Sequence, residues 1–207
     1  KYLLPNREHF ILMKQNMQDF IPSRLFIYYN ERDMEGSVDS DSGAMIRDGF
    51  ISVNQLGVCP ETEWTYDDDK SSPSSKFRQK PSQQCYTDAS NTKAVSYSRV
   101  IQTLNQMKGC LASGYPFVFG FTVYQSFMNA WHNDAVIPMP SATEERGRPL
   151  GGHAVLAVGY DDSQNRFICR NSWGTGDTGM DGYFTMPYAY LLDSNLSDHF
   201  WTVRVVS

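Results

Sequence analysis

The order of apolar patterns along the chain constrains its fold more than any other feature. Up to Gly114 the apolar residues recur three or four positions apart, which is typical of amphipathic helices. After Gly114 the apolar stretches are short and rich in Phe, Val, Tyr and Thr, which favours strands. Helices that precede strands, rather than alternating with them, predict an α+β architecture.

Three helices are predicted in the first half of the chain. The first covers residues 9–30, where the helical spacing is interrupted at Pro22 and the chain runs into a connection. A second begins with Ser42 as its cap and ends at Gly57. The third spans residues 96–113. These helices are expected to form the first part of the fold.

Several strands are predicted in the second half, and two of them form a hairpin. The polar run 161–165 separates two strand segments and has the composition of a turn between antiparallel neighbours. Between the second and third helices, residues 67–94 are polar and predict a long surface loop. The strand segments cover residues 115–124, 154–160, 166–170, 183–186 and 200–206.

The overall composition argues against two kinds of partner. The net charge is −5 and the basic residues are scattered, so nucleic acid is not expected as a partner. No apolar run in the sequence approaches the roughly 20 residues that cross a bilayer, so no membrane span is expected. No pattern in the sequence indicates a cellular location.

The cysteines and histidines show no metal-binding pattern. Two histidines, His132 and His199, have no carboxylate or cysteine at metal-ligand spacing, and no cofactor or metal is predicted. Whether the cysteines are free thiols or form disulfides stays open. The four cysteines, which lie far apart and without C-x-x-C spacing, are Cys59, Cys85, Cys110 and Cys169.

One histidine and one asparagine are placed to act together. His153 lies at the start of one hairpin strand, and Asn171 follows the other strand, directly before Ser172 and Trp173. An asparagine oxygen that binds one imidazole nitrogen holds the ring in one tautomer, as a base that activates a thiol requires. Trp173 is placed to shield that bond from water. Taken alone, such a pair is also compatible with a purely structural role.

The sequence around this pair resembles the C-terminal half of the papain family of cysteine peptidases. His153 lies within Gly-Gly-His-Ala-Val, Asn171 opens Asn-Ser-Trp-Gly-Thr-Gly, and Gly-Tyr-Phe follows at 182–184, in the family's order and spacing. The resemblance continues upstream in a form similar to the divergent bacterial and viral members. The upstream segments are 22–30, 41–44, 57–61 and 114–117.

The resemblance implies a two-lobed papain-like fold. A mainly helical lobe is expected over residues 1–112 and a β-rich, barrel-like lobe over residues 113–207, with a peptide or protein bound in the cleft between them. It also implies roles for particular residues. His153 would be the general base, Asn171 its orienting partner and Trp173 the cover over the pair, with Gly152 and Ser172 as supporting residues.

The family's nucleophilic cysteine and its oxyanion-binding glutamine have no counterpart in this sequence. Counting back from the match places both before Lys1, and Pro5 indicates that segment 1–8 differs from the family's packed helix. Cys169 shares a strand face with Asn171 but is interpreted as a structural thiol. As written, the chain is expected to be an inactive cysteine peptidase homologue. The alternative is a non-catalytic, protease-like binding or structural protein.

Overall fold

The structure is a computed structural model that describes residues 20–176 and 180–206. These residues belong to two compact units. The first comprises the chain up to Ser98 together with its end from Val203, and the second runs from Arg99 to Thr202. Residues 9–19 of the predicted helix over 9–30, and all of segment 1–8, lie outside the described residues. Within the described part, no helix has the length and apolar character needed to span a membrane.

The first described helix, α1 (Arg24–Glu35), begins just after Pro22. The side chain of Ser23 accepts a hydrogen bond from the backbone of Phe26 and caps the helix. Gly36 ends it in the left-handed conformation, with φ at 69°. The prediction of a connection at this point was therefore wrong, because a cap follows the proline and starts a new helix.

The second predicted helix is confirmed as α2 (Ile46–Gln55). Phe50 and Val53 are buried, as the apolar spacing predicts. Its cap is Met45, which makes no side-chain capping bond, rather than Ser42. The helix is therefore held mainly by the packing of its apolar face.

The polar segment 67–94 is not the continuous surface loop that its composition predicts. It contains a short 3₁₀ helix (Lys76–Arg78) and an α-helix, α3 (Gln83–Ala89). The hydroxyl of Ser82 accepts a hydrogen bond from the backbone of Cys85 and caps α3. Because α3 packs one face inward, the side chain of Cys85 is buried rather than in a loop.

The helix predicted over 96–113 is shorter than expected. Its first residues instead form strand β1 (Ala94–Arg99), and the helix itself, α4, covers Leu104–Ala112. Met107, Cys110 and Leu111 are its buried residues. Because the compact units divide between Ser98 and Arg99, α4 belongs to the second unit. A lobe boundary near residue 112 stays a prediction.

An antiparallel sheet forms the centre of the second unit, and its strands confirm the predicted strand segments. The strand order is β6-β2-β3-β4-β5, and in the first unit β1 lies beside the end of β6 as a sixth strand. Three short helices accompany the sheet: α5 (Gln125–Trp131), α6 (Ala142–Arg146) and α7 (Tyr188–Leu192). The strands are β2 (Phe117–Val123), β3 (Gly151–Asp161), β4 (Arg166–Arg170), β5 (Tyr183–Pro187) and β6 (Ser197–Val206).

The predicted hairpin is present between β3 and β4. A carboxylate oxygen of Asp161 accepts hydrogen bonds from the backbone and hydroxyl of Ser163, and Asn165 completes the turn with φ at 55°. In the ladder, Leu156 lies opposite Arg170 and Ala157 lies opposite Cys169. The strands therefore run so that the start of β3 meets the residues after β4.

Aromatic side chains fill the core of the second unit. The rings of Phe119 and Phe200 stack with centroids 5.6 Å apart, and Phe117 meets Phe167 edge to face at 6.1 Å. All four side chains are buried. Such pairs stabilise a core beyond the area they bury, by about 0.5–1.5 kcal/mol each. This packing gives the hairpin a rigid base.

Candidate active site

His153 lies on β3 near the beginning of the strand. The ladder places it opposite Phe121 of β2, whose ring meets the imidazole edge to face with centroids 5.8 Å apart. Phe121 is itself held by Phe127 at 5.0 Å and by Tyr190 at 6.0 Å. The imidazole is therefore positioned against a well-packed aromatic wall.

Asn171 follows the last residue of β4 and is buried. Its side-chain oxygen Oδ1 lies 2.8 Å from Nε2 of His153, so the predicted pairing of these two residues is present. The backbone N–H of Ser172 donates to the same oxygen at 2.8 Å. The backbone N–H of Asn171 donates to the carbonyl of Gly182 at 3.0 Å, which fixes the residue against the start of β5.

These hydrogen bonds determine the tautomer of His153. Because the N–H of Ser172 donates to Oδ1 of Asn171, that atom is the amide oxygen, which only accepts hydrogen bonds. Nε2 of His153 must therefore carry a proton and donate it to this oxygen. In the neutral ring, Nδ1 is left with a lone pair that can accept a proton.

Burial sets the charge of the imidazole. Removal of the ring from water lowers the pKa of His153 to about 4, while the hydrogen bond to Asn171 acts in the opposite direction. The ring is therefore neutral near pH 7. A neutral imidazole whose Nδ1 carries no proton is the form that can act as a base.

Trp173 covers the pair from the outer side. Its ring stacks on the imidazole of His153, with centroids 4.7 Å apart and an angle of 29° between the planes. Phe127 and Trp131 meet the indole edge to face at 5.9 and 5.5 Å. Although 45% of Trp173 is exposed, these contacts hold it over the imidazole. The sequence motif predicts Trp173 at this position, whereas Phe127 and Trp131 were not predicted to lie here.

Two supporting residues lie beside the pair. Gly152 precedes His153 on β3, opposite Thr122, and Ser172 contributes the N–H that binds Asn171. Gly182 belongs to the Gly-Tyr-Phe motif at 182–184, but no role at the site was predicted for it. It has φ at 86° and accepts the backbone bond of Asn171. A side chain at Gly182 would lie 2.8 Å from the carbonyl oxygen of Gly174, so the position favours glycine.

Cys169 is not placed to exchange a proton with His153. It lies opposite Ala157, four residues beyond His153 on β3, which is about 13 Å at the usual rise per residue. The thiol is completely buried, and this burial raises the pKa of Cys169. The remaining cysteines, which are also buried, are Cys59, Cys85 and Cys110.

The family profile described as papain family cysteine protease matches residues 32–196. A peptidase C1-like protein of Acanthamoeba polyphaga mimivirus is 42% identical over 205 residues, which cover 95% of this chain and 63% of that protein. A cathepsin B-like protein of Giardia intestinalis is 43% identical over 96 residues, covering 45% of this chain and 28% of that protein. The chain thus spans less than two thirds of each of these relatives.

A solved structure gives the same result for the fold. The crystal structure of xylellain, a cysteine protease from Xylella fastidiosa, has a TM-score of 0.88 and 47% identity, and covers 97% of this chain and 76% of that one. The α+β, two-lobed papain-like fold is thereby confirmed. The chain belongs to the papain family of cysteine proteases.

Proposed function

We propose that this protein hydrolyses peptide bonds, with His153 as the general base and Asn171 as the residue that orients it. The observation that carries the proposal is the hydrogen bond of 2.8 Å between Nε2 and Oδ1. It leaves Nδ1 of a neutral, buried ring unprotonated and able to accept a proton, which is the arrangement that a thiol nucleophile needs.

In this reaction the imidazole transfers a proton twice. Nδ1 of His153 takes the proton from a cysteine thiol, and the thiolate attacks the carbonyl carbon of the substrate. The imidazolium then gives the proton to the leaving amine, and the acyl group stays on sulfur as a thioester. The ring next takes a proton from water, which hydrolyses the thioester and restores the thiol. Asn171 keeps the ring in one orientation throughout.

The nucleophile of this proposal lies outside the 207 residues. The four cysteines of the chain are buried, and Cys169 in particular has its thiol protonated by burial. In the family pattern the nucleophile precedes the segment that begins here, so we assign it to the sequence before Lys1. The substrate is a peptide or protein, the class on which the family acts.

The test is covalent labelling of the full-length gene product. The natively purified protein is incubated with a peptidyl epoxide that alkylates papain-like nucleophiles, and the adduct is located by peptide mass mapping. We expect one adduct, on a cysteine upstream of Lys1, and its loss in a His153→Ala variant. A folded protein that takes no label would instead indicate a non-catalytic homologue. Labelling of Cys169 would show that the nucleophile has been misplaced.

A further inference from the structure

Two cysteines and a glutamate converge in the first unit, whereas the histidine and asparagine belong to the second unit. Cys59 lies in the connection after α2, Glu63 lies in the turn that follows it, and Cys85 lies on α3. The two sulfur atoms and a carboxylate oxygen of Glu63 all lie within 4.8 Å of one another. The fold thus brings together three groups that are each able to bind a metal ion.

The three groups differ in their access to solvent. Cys59 and Cys85 are buried, whereas Glu63 is exposed. A long exposed side chain can extend in many directions, yet the carboxylate of Glu63 lies against the two buried sulfurs. The two thiols therefore form the buried side of the cluster. The carboxylate lies on the solvent-exposed side, from which an ion can enter.

We propose that Cys59, Glu63 and Cys85 bind a zinc ion, with a water molecule as the fourth ligand. Zinc binds thiolate and carboxylate ligands in a tetrahedron at about 2.0–2.3 Å, which separates the ligand atoms by roughly 3.3–3.8 Å. Atoms already within 4.8 Å of one another reach that spacing through small side-chain rotations. Two soft thiolates favour zinc over magnesium and calcium.

Two neighbouring residues support the site. The hydroxyl of Ser82 lies 3.2 Å from the sulfur of Cys85 and is able to donate a hydrogen bond to it as a thiolate. Asp88 lies on the same helix, three residues after Cys85, and its negative charge acts on the carboxyl group of Glu63. A cation beside two adjacent carboxyl groups would reduce their repulsion.

A disulfide between the two cysteines is the competing use of this cluster. It would require a two-electron oxidant such as oxidised glutathione, and it would use the sulfur atoms alone. Metal binding needs no oxidant, since each thiol only releases its proton as zinc binds. The position of Glu63 favours metal binding over a disulfide. Its carboxylate oxygen can be a third ligand of an ion, whereas it would have no part in a disulfide.

A bound ion would stabilise a surface segment of the first unit. Cys59 and Cys85 flank the polar segment that includes residues 67–80, and Glu63 belongs to the turn that leads into it. An ion bound by all three would tie this turn to α3. Since the ion binds the folded state, it would raise the melting temperature of the protein.

Zinc binding by the reduced, chelator-treated full-length protein tests the proposal. After addition of zinc and gel filtration, we expect about one zinc per chain by elemental mass spectrometry, and near-ultraviolet sulfur-to-cobalt charge-transfer bands when cobalt replaces zinc. Cys59→Ser and Cys85→Ser are expected to lose the metal. Cys110→Ser, which removes a buried cysteine elsewhere, should keep it.

Glu63→Gln provides a variant that is expected to fold, because residue 63 is exposed. We expect it to weaken zinc binding by about tenfold or more and to reduce the rise in melting temperature that zinc produces. Wild-type protein that retains no zinc, or Glu63→Gln that binds zinc as tightly as wild type, would overturn the site. In protein purified without reductant, a mass lower by two hydrogens, with both thiols protected from alkylation until reduction, would replace the zinc site with a disulfide.

Discussion

The imidazole of His153 and the indole of Trp173 lie nearly parallel, with centroids 4.7 Å apart and planes 29° from each other. One face of the imidazole is thereby removed from water. The hydrogen bond to Asn171 places the proton on Nε2 and leaves Nδ1 unprotonated. Stacking and hydrogen bonding together hold a neutral base in a fixed orientation, and each makes a separate prediction.

Removal of the indole should raise the pKa of His153. Trp173→Ala admits water to the imidazole, and since burial is the main reason that the pKa of His153 is about 4, the pKa should move towards the ordinary value near 6.5. The measurement is an NMR titration of protein labelled at histidine. Trp173→Phe keeps an aromatic face and should keep most of the shift. An unchanged pKa in Trp173→Ala would mean that other groups bury the ring.

A carboxylate in place of the amide should also raise this pKa, for a different reason. Asn171→Asp puts a negative charge beside Nε2 and favours the protonated ring, with an expected increase of about 1–3 pH units in the same titration. The control is Asn195→Asp, the same substitution at an exposed residue of the same unit, which should leave the pKa of His153 unchanged. A pKa that did not rise in Asn171→Asp would contradict the geometry of the pair.

The low pKa of His153 predicts how stability depends on pH. Between about pH 6.5 and pH 4 the unfolded chain protonates this histidine while the folded protein keeps it neutral, so stability falls as pH decreases through that window. Over this range the wild type should lose as much as about 3 kcal/mol relative to His153→Gln. Urea unfolding at several pH values measures the difference. If the free energy of unfolding depended on pH in the same way for both proteins, the fold would not be holding the ring of His153 neutral.

Gly182 should tolerate no side chain. Gly182→Ala forces a left-handed conformation, with φ at 86°, and places the methyl group 2.8 Å from the carbonyl oxygen of Gly174. We expect a loss of about 1–3 kcal/mol in the free energy of unfolding. The Gly182→Ala variant should also have lower peptidase activity, because the carbonyl of Gly182 accepts the backbone hydrogen bond of Asn171.

Gly152→Ala is the matched control for this change. Its added methyl group meets nothing within 4 Å, so it should alter stability by much less in thermal unfolding. Equal losses for the two glycine variants would rule out strain at Gly182 as the cause.

The hairpin and the pairing of His153 with Asn171 could be predicted from the sequence because both depend on local signals. The turn at 161–165 has its own chemistry, and the alternation of apolar residues sets which side chains share a face. His153 and Asn171 then follow from their places at the ends of β3 and β4. Trp131 and Phe127 had an available signal, since two aromatic residues four apart on a helix share a face.

Other features depend on contacts that are distant in the sequence. β1 was taken for part of a helix because Val100, Leu104 and Met107 continue the helical spacing beyond it. Cys59 and Cys85 are 26 positions apart, and only the packing of α3 brings them together. A search for short cysteine spacings therefore misses this cluster.

Peptide hydrolysis by the full-length gene product tests the central claim most directly. The value of kcat/KM on a fluorogenic peptide is compared for the wild type, His153→Ala and His132→Ala, the last being an exposed histidine at the end of α5. We expect His153→Ala to lower kcat/KM by about 10²–10⁴-fold and His132→Ala to leave it unchanged. Hydrolysis that persists at the wild-type rate in His153→Ala would contradict it.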